Sequence, residues 1–178
     1  MKLMIASDLH GSAYYTRKLL EAMDREQPER LVLLGDLLYH GPRNELPREY
    51  APKEVISMLN RRKERILCVR GNCDAEVDQM VLEFPVLGEY GVIFVDGLTI
   101  YAVHGHQRLE LPVQSGDVLL CGHTHVPAIR REGNHYYGNP GSVSLPKEGS
   151  TRGYMILEHR TLYHRGLEQG DLLEPFTF

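Results

Sequence analysis

Lys2-Leu-Met-Ile-Ala-Ser7-Asp8-Leu-His10-Gly11 is an apolar run that stops at a carboxylate, an imidazole and a glycine. Residues 2–7 read as a short buried strand. The same arrangement recurs twice. Residues 30–34 (Arg-Leu-Val-Leu-Leu) stop at Gly35-Asp36, and residues 65–69 (Arg-Ile-Leu-Cys-Val) stop before Gly71-Asn72-Cys73-Asp74. Between these runs, residues 13–26 carry Leu19, Leu20 and Met23 at helical spacing, and residues 53–61 carry Val55, Ile56 and Leu59. A loop bearing Pro and Gly joins Tyr39 to Pro52. The resulting β-α-β-α-β order implies a parallel sheet covered by helices.

The second half reads differently. Runs at 92–95 and 98–103 are split by Asp96-Gly97, a hairpin signal. Residues 117–121 form another buried strand. Runs at 126–131 and 134–138 flank Gly133-Asn134, and runs at 153–158 and 161–165 flank a turn near Arg160. With no repeat or linker in view, the expectation is one α/β domain over residues 1–178: a two-sheet β-sandwich flanked by helices.

The composition suits a globular protein, with 42% hydrophobic and 25% charged residues among 178. A net charge of −4 argues against a basic footprint for long nucleic acid. No apolar run approaches the roughly 20 residues of a membrane helix. The N-terminal run is shorter than a secretory core and leads directly into the first motif. Cys68, Cys73 and Cys121 are odd in number and lack framework spacing, which points to a reduced, cytoplasmic setting.

Two further motifs, His104-Gly105-His106 and Gly122-His123-Thr124-His125, follow the apolar runs ending at Val103 and Cys121. Taken singly, each motif is an ordinary strand-end turn. Together they place five of the nine histidines in three motifs of one pattern. Strand ends are where open α/β sheets bind ligands, and glycine there lets the backbone turn sharply. Asp8 with His10, and His123 with His125, stand two residues apart; an extended chain would point both members of each pair to one side. Asp8, His10, Asp36, Asn72, His104, His123 and His125 thus offer seven oxygen and nitrogen donors without a thiolate set. That suits Mn, Fe, Zn or a similar divalent ion. Seven donors of these types suit two ions, with Asp36 as the shared carboxylate.

The order Asp-x-His, Gly-Asp, Gly-Asn-x-Asp, Gly-His, Gly-His-x-His resembles the calcineurin-like metallophosphoesterases over residues 8–125. The loop from Tyr39 to Asn44 and the run Asn139-Pro-Gly-Ser-Val-Ser144 extend the resemblance to that family's small bacterial and archaeal phosphodiesterases, whose relatives include the retromer subunit. The resemblance implies Asp8, His10, Asp36 and His125 on one metal, and Asp36, Asn72, His104 and His123 on the other. Mn is the common cofactor in that family. The resemblance further implies hydrolysis of a small phosphodiester by a hydroxide bridging the two ions, and a homo-oligomer, dimer or tetramer.

The candidate catalytic residues are Asp36, Asn72, His104, Cys73 and His106. Many family members carry His at the position of Cys73, where it serves the leaving group or the phosphate. A thiol forms weak hydrogen bonds, and a lost general acid lowers rates roughly 10²–10⁴-fold. Modest turnover on diesters with good leaving groups is therefore expected, with His106 as a partial substitute. Arg43, in the loop with His40 and Asn44, is a candidate phosphate ligand. Asp74 is read either as a loop brace or as a surface acid, and Cys68 and Cys121 as core residues. The competing readings are a scaffold like the retromer subunit and a phosphomonoesterase or nucleotidase.

Overall fold

The computed structural model describes residues 1–178. Its strands are β1 Leu3–Ala6, β2 Arg30–Leu33, β3 Ile66–Cys68, β4 Tyr90–Val95, β5 Leu98–Val103, β6 Val118–Leu120, β7 Ala128–Glu132, β8 His135–Asn139, β9 Gly153–Glu158, β10 Thr161–Gly166 and β11 Asp171–Thr177. Its helices are α1 Ala13–Glu26, α2 Pro52–Asn60 and the single turn α3 Glu76–Gln79. None is long and apolar enough to cross a membrane.

Local chemistry fixes the helix ends. The Ser12 hydroxyl accepts a hydrogen bond from the Tyr15 amide at 3.3 Å and so caps α1. Gln27, at φ 51°, closes α1 with its amide donating to the Met23 carbonyl. Pro52 begins α2, where a missing amide leaves no bond unmade.

One sheet has the order β11-β10-β9-β1-β2-β3, with β1, β2 and β3 parallel. The other has the order β4-β5-β6-β8-β7, with β5, β6 and β8 parallel. Alternation along β1 serves two cores. Met4 and Ala6 pack with Leu19 and Met23 of α1 and Val55 and Leu59 of α2. Leu3 and Ile5 face the other sheet and meet Ile100, Ala102, Val118 and Leu120. Fully burying such a side chain contributes about 1.5–3 kcal/mol. The sandwich flanked by helices is thus as expected, with both long helices in the first layer.

The Asp96-Gly97 turn has positive φ at both residues, as a type I′ hairpin needs. His159 and Arg160 make the same turn without glycine. Three readings need correction. The sequence reading gave no strand for residues 171–177, yet β11 pairs with β10 there. Its Pro175 is tolerated because β11 is an edge strand. Helix α3 was likewise not foreseen. Cys121 is buried as expected, but Cys68 is only half-buried because β3 is the opposite sheet edge.

Candidate metal centre

The parallel strands β1, β2, β3, β5 and β6 each end in one of the motifs. Asp8 and His10 follow β1, Asp36 follows β2, Asn72 and Cys73 follow β3, His104 follows β5, and His123 and His125 follow β6. Their side chains converge. His10 Nε2 lies 3.2 Å from His125 Nε2, and His125 Nε2 lies 3.2 Å from Asp8 Oδ1. Asp36 Oδ2 stands between two groups, 3.7 Å from His10 Nε2 and 3.5 Å from His104 Nε2. Asn72 Oδ1 lies 3.1 Å from His104 Nε2. The His123 ring centre is 5.1 Å from that of His104.

The expected extended geometry is wrong. Asp8, His10, Asp36, His123 and His125 all have φ between 47° and 65°. The donors meet because tight left-handed turns aim them inward, not because a strand alternates. Asp and His are among the residues that tolerate this region best. Close approach supplies the rest: a methyl at Gly71 would lie 2.0 Å from Asp36 Oδ1, and one at Gly122 would lie 2.0 Å from the Ser7 hydroxyl.

Three imidazoles have their tautomer set by backbone carbonyls. Nδ1 of His10, His104 and His125 donates to the carbonyls of Tyr39, Leu34 and Leu145 at 2.8, 2.6 and 2.5 Å. Each Nε2 is thereby turned toward the cluster, where loss of its proton frees a lone pair, the arrangement by which outer hydrogen bonds prepare histidine for a metal. Asp8 Oδ1 is buried and lacks a hydrogen-bond partner. Asp8 is 0% and Asp36 2% exposed, so both carboxylates need compensating positive charge. Burial opposes the ionised form of each. For Asp8 the imidazoles of His10 and His125, 3.6 and 3.2 Å away, and for Asp36 that of His104, at 3.5 Å, outweigh it and hold both carboxyls below the usual range. Burial also works against protonated His104, but Asp36 and Asp8 raise it to about 9. Such a set of oriented, charge-demanding donors fits divalent ions.

Asp74 is resolved as a brace, not a surface acid. Its carboxylate is 3% exposed and accepts from the amides of Asp36, Leu37 and Gly71 at 2.8, 2.9 and 2.7 Å. It locks the β2 and β3 loops together. Cys73 donates its amide to Asp36 Oδ1 at 2.8 Å, and its Sγ lies within 4.8 Å of His10 and Asp36 donor atoms. Burial, then the Asp36 charge, pushes the thiol up to about 12. It is thus a neutral thiol and a poor ligand in that state. The His106 ring lies 5.4 Å from that of His104, beside the Asn72 side of the cluster. Burial, then the charge of His104, lowers its pKa.

Two clefts open on the cluster, of about 450 and 330 Å³, sharing Asn72. Arg43 and Asn44 line the larger, whereas His40 of the same loop does not. Its ring packs against Tyr39 and Tyr50 instead. Thr124, inside the Gly122–His125 motif but given no role from sequence, and Lys147, which nothing in its surroundings marked, also line that cleft. Sequence reading gave no role to Ser142 and Ser144, whose hydroxyls both donate to the Asp8 carbonyl at 2.8 and 3.0 Å. Their spacing beside Gly141 was the available signal.

Comparison with known proteins gives one consistent picture. A family model described as the calcineurin-like phosphoesterase superfamily domain matches residues 1–162. Phosphodiesterase YfcE of Escherichia coli (strain K12) is 44% identical over 165 residues, covering 91% of this chain and 90% of that protein. The solved structure of Yfce, a phosphoesterase from E. coli, superposes with a TM-score of 0.94 at 41% identity, covering 99% of both chains. A Vps29 single mutant from Entamoeba histolytica shares the fold, with a TM-score of 0.70 at 22% identity over 100% of this chain and 99% of that one.

Proposed function

The chain belongs to the calcineurin-like phosphoesterase superfamily, and we propose on that premise that it hydrolyses small phosphodiesters with two divalent metal ions. The first would be held by Asp8, His10, Asp36 and His125, the second by Asp36, Asn72, His104 and His123. The observation that carries this reading is the position of Asp36 Oδ2 between His10 and His104, at 3.7 and 3.5 Å. When bound, such ions supply Lewis acidity toward phosphoryl oxygens and make bound water acidic enough to ionise near neutral pH. Mn is our first choice, with Fe and Zn also suited to the donor set.

The chain's own residues do the positioning. Asp74 holds the Asp36 and Asn72 loops in register, and Ser142 and Ser144 hold the Asp8 backbone. Cys73 and His106 stand on opposite sides of Asn72, one in each cleft. A thiol forms weak hydrogen bonds and serves a leaving group less well than an imidazole, so leaving groups that need little protonation react best. Monoester cleavage, for which relatives in this family usually keep a histidine at the position of Cys73, is disfavoured.

Assaying the Mn-loaded protein on bis-p-nitrophenyl phosphate and p-nitrophenyl phosphate tests the reading. The diester should react faster, and chelation should abolish both activities. Faster monoester cleavage would overturn the diesterase reading. Absence of any cleavage would favour a scaffold role.

A further inference from the structure

A phosphodiester has two ester arms, and the donor cluster has two clefts. They differ in charge. The smaller is lined by both Arg70 and Glu89, and Arg70 also pairs with Glu76 at 3.3 Å. The larger carries Arg43 and Lys147, and Asp36 of the donor cluster is its only carboxylate. Neither cation has an acidic side chain within 4.0 Å. Glu45 and Glu148, their neighbours in sequence, are exposed and lie outside the cleft.

Both cations are presented by loops tied to the cluster. The Arg43 loop lies against Cys73, since a methyl at Gly41 would stand 3.3 Å from its Sγ. Asn44 Nδ2 clamps that loop by donating to the His40 carbonyl at 2.8 Å. The Lys147 amide donates to the His125 carbonyl at 3.4 Å, and His125 Nδ1 returns a bond to Leu145. Two exposed, unpaired cations on anchored loops around one cleft are a notable excess for a chain of net charge −4. The scissile group does not account for them. A diester carries one negative charge, and the metal ions proposed above would already meet it.

We propose that the larger cleft binds a second anionic group, so that the preferred substrates are phosphodiesters in which one alcohol carries a further phosphate. This rests on the phosphodiesterase reading and adds an orientation to it: the phosphorylated arm lies toward Arg43 and Lys147, and the other arm lies toward His106. Arg43 would grip the phosphate through paired N–H groups and Lys147 as a point charge.

The test uses the Mn-loaded native protein and two compounds, thymidine 5′-(p-nitrophenyl phosphate) and the same compound with a 3′-phosphate. The added phosphate should raise kcat/KM about tenfold, equivalent to ~1.4 kcal/mol. The combined substitution Arg43→Gln with Lys147→Gln should bring that ratio close to one. Calorimetry gives an activity-free readout: thymidine 3′,5′-bisphosphate should bind the native protein about tenfold more tightly than thymidine 5′-monophosphate, and the variant should lose that difference. A native ratio near one, or a ratio unchanged in the variant, overturns the proposal. If no diester, bis-p-nitrophenyl phosphate included, is cleaved, the phosphodiesterase reading fails, and the calorimetric ratio alone decides whether the anion subsite exists.

Discussion

Gly71→Ala adds one methyl group at the point where the β2 and β3 loops touch. That carbon would stand 2.0 Å from Asp36 Oδ1 and 2.3 Å from the Asp36 amide, well inside the 3.4 Å where ordinary contact begins. Asp36 has little room to yield. Its Oδ1 accepts from the Cys73 amide at 2.8 Å, and its own amide donates to Asp74 Oδ2 at 2.8 Å. Retreat would strain or break two charge-assisted bonds, each worth about 1.5–3 kcal/mol. Partial relaxation leaves a net destabilisation of roughly 2–4 kcal/mol. For a chain of this size that lowers Tm by roughly 5–15 °C. Thermal unfolding followed by circular dichroism measures it, with Gly170→Ala as the control, since nothing lies within 4 Å of a methyl there. Mn affinity, read by calorimetry, should fall in the same variant as Asp36 moves. A Gly71→Ala midpoint within about 2 °C of the control would refute the claim that this contact holds the site together.

Asp36→Asn should remove at least one bound ion; calorimetry finding the native Mn stoichiometry would disprove the bridging role. Cys73→His should raise hydrolysis of an alkyl phosphomonoester such as glycerol phosphate by roughly 10²-fold or more, the lower range for a restored general acid, and an unchanged rate would show that position 73 is not limiting. His164 is fully buried and donates Nε2–H to the Pro140 carbonyl at 2.9 Å. Burial lowers its pKa despite that bond. The unfolded chain therefore gains a proton near its usual value of about 6.5 while the folded chain does not. Stability present above that pH is lost below it, by at most ~1.4 kcal/mol per pH unit. Denaturant titrations at several pH values should show a flatter acid limb for His164→Gln, and parallel native and variant curves would contradict this.

The strands carrying the donors were legible because each is an apolar run cut off by glycine and a polar residue. Two other features were not. The i, i+2 pairs looked like same-face neighbours of an extended strand, yet Asp8, His10, His123 and His125 all lie at positive φ. Type alone signals tolerance of that region, not its use. Pro175 hid β11, because a proline inside an apolar run argues against a strand unless the strand is at an edge, and edge position is a tertiary fact. Lys147 escaped for the same reason: its relevance comes from the fold of the loop after Ser144, and nothing local marks it. Asp74 was readable only as an alternative until its three amide partners, from two different loops, were in place.

Five donor residues in the left-handed region have an evolutionary consequence. Each such residue costs about 1 kcal/mol relative to a relaxed backbone, so the set amounts to roughly 5 kcal/mol. That is comparable with the whole net stability of many domains. Glycine at any of these positions would release strain and delete a donor in a single step. In a descendant freed from selection for hydrolysis, such an exchange would end the chemistry at little cost to the fold. Keeping all five as Asp and His is a standing trade of stability against chemistry.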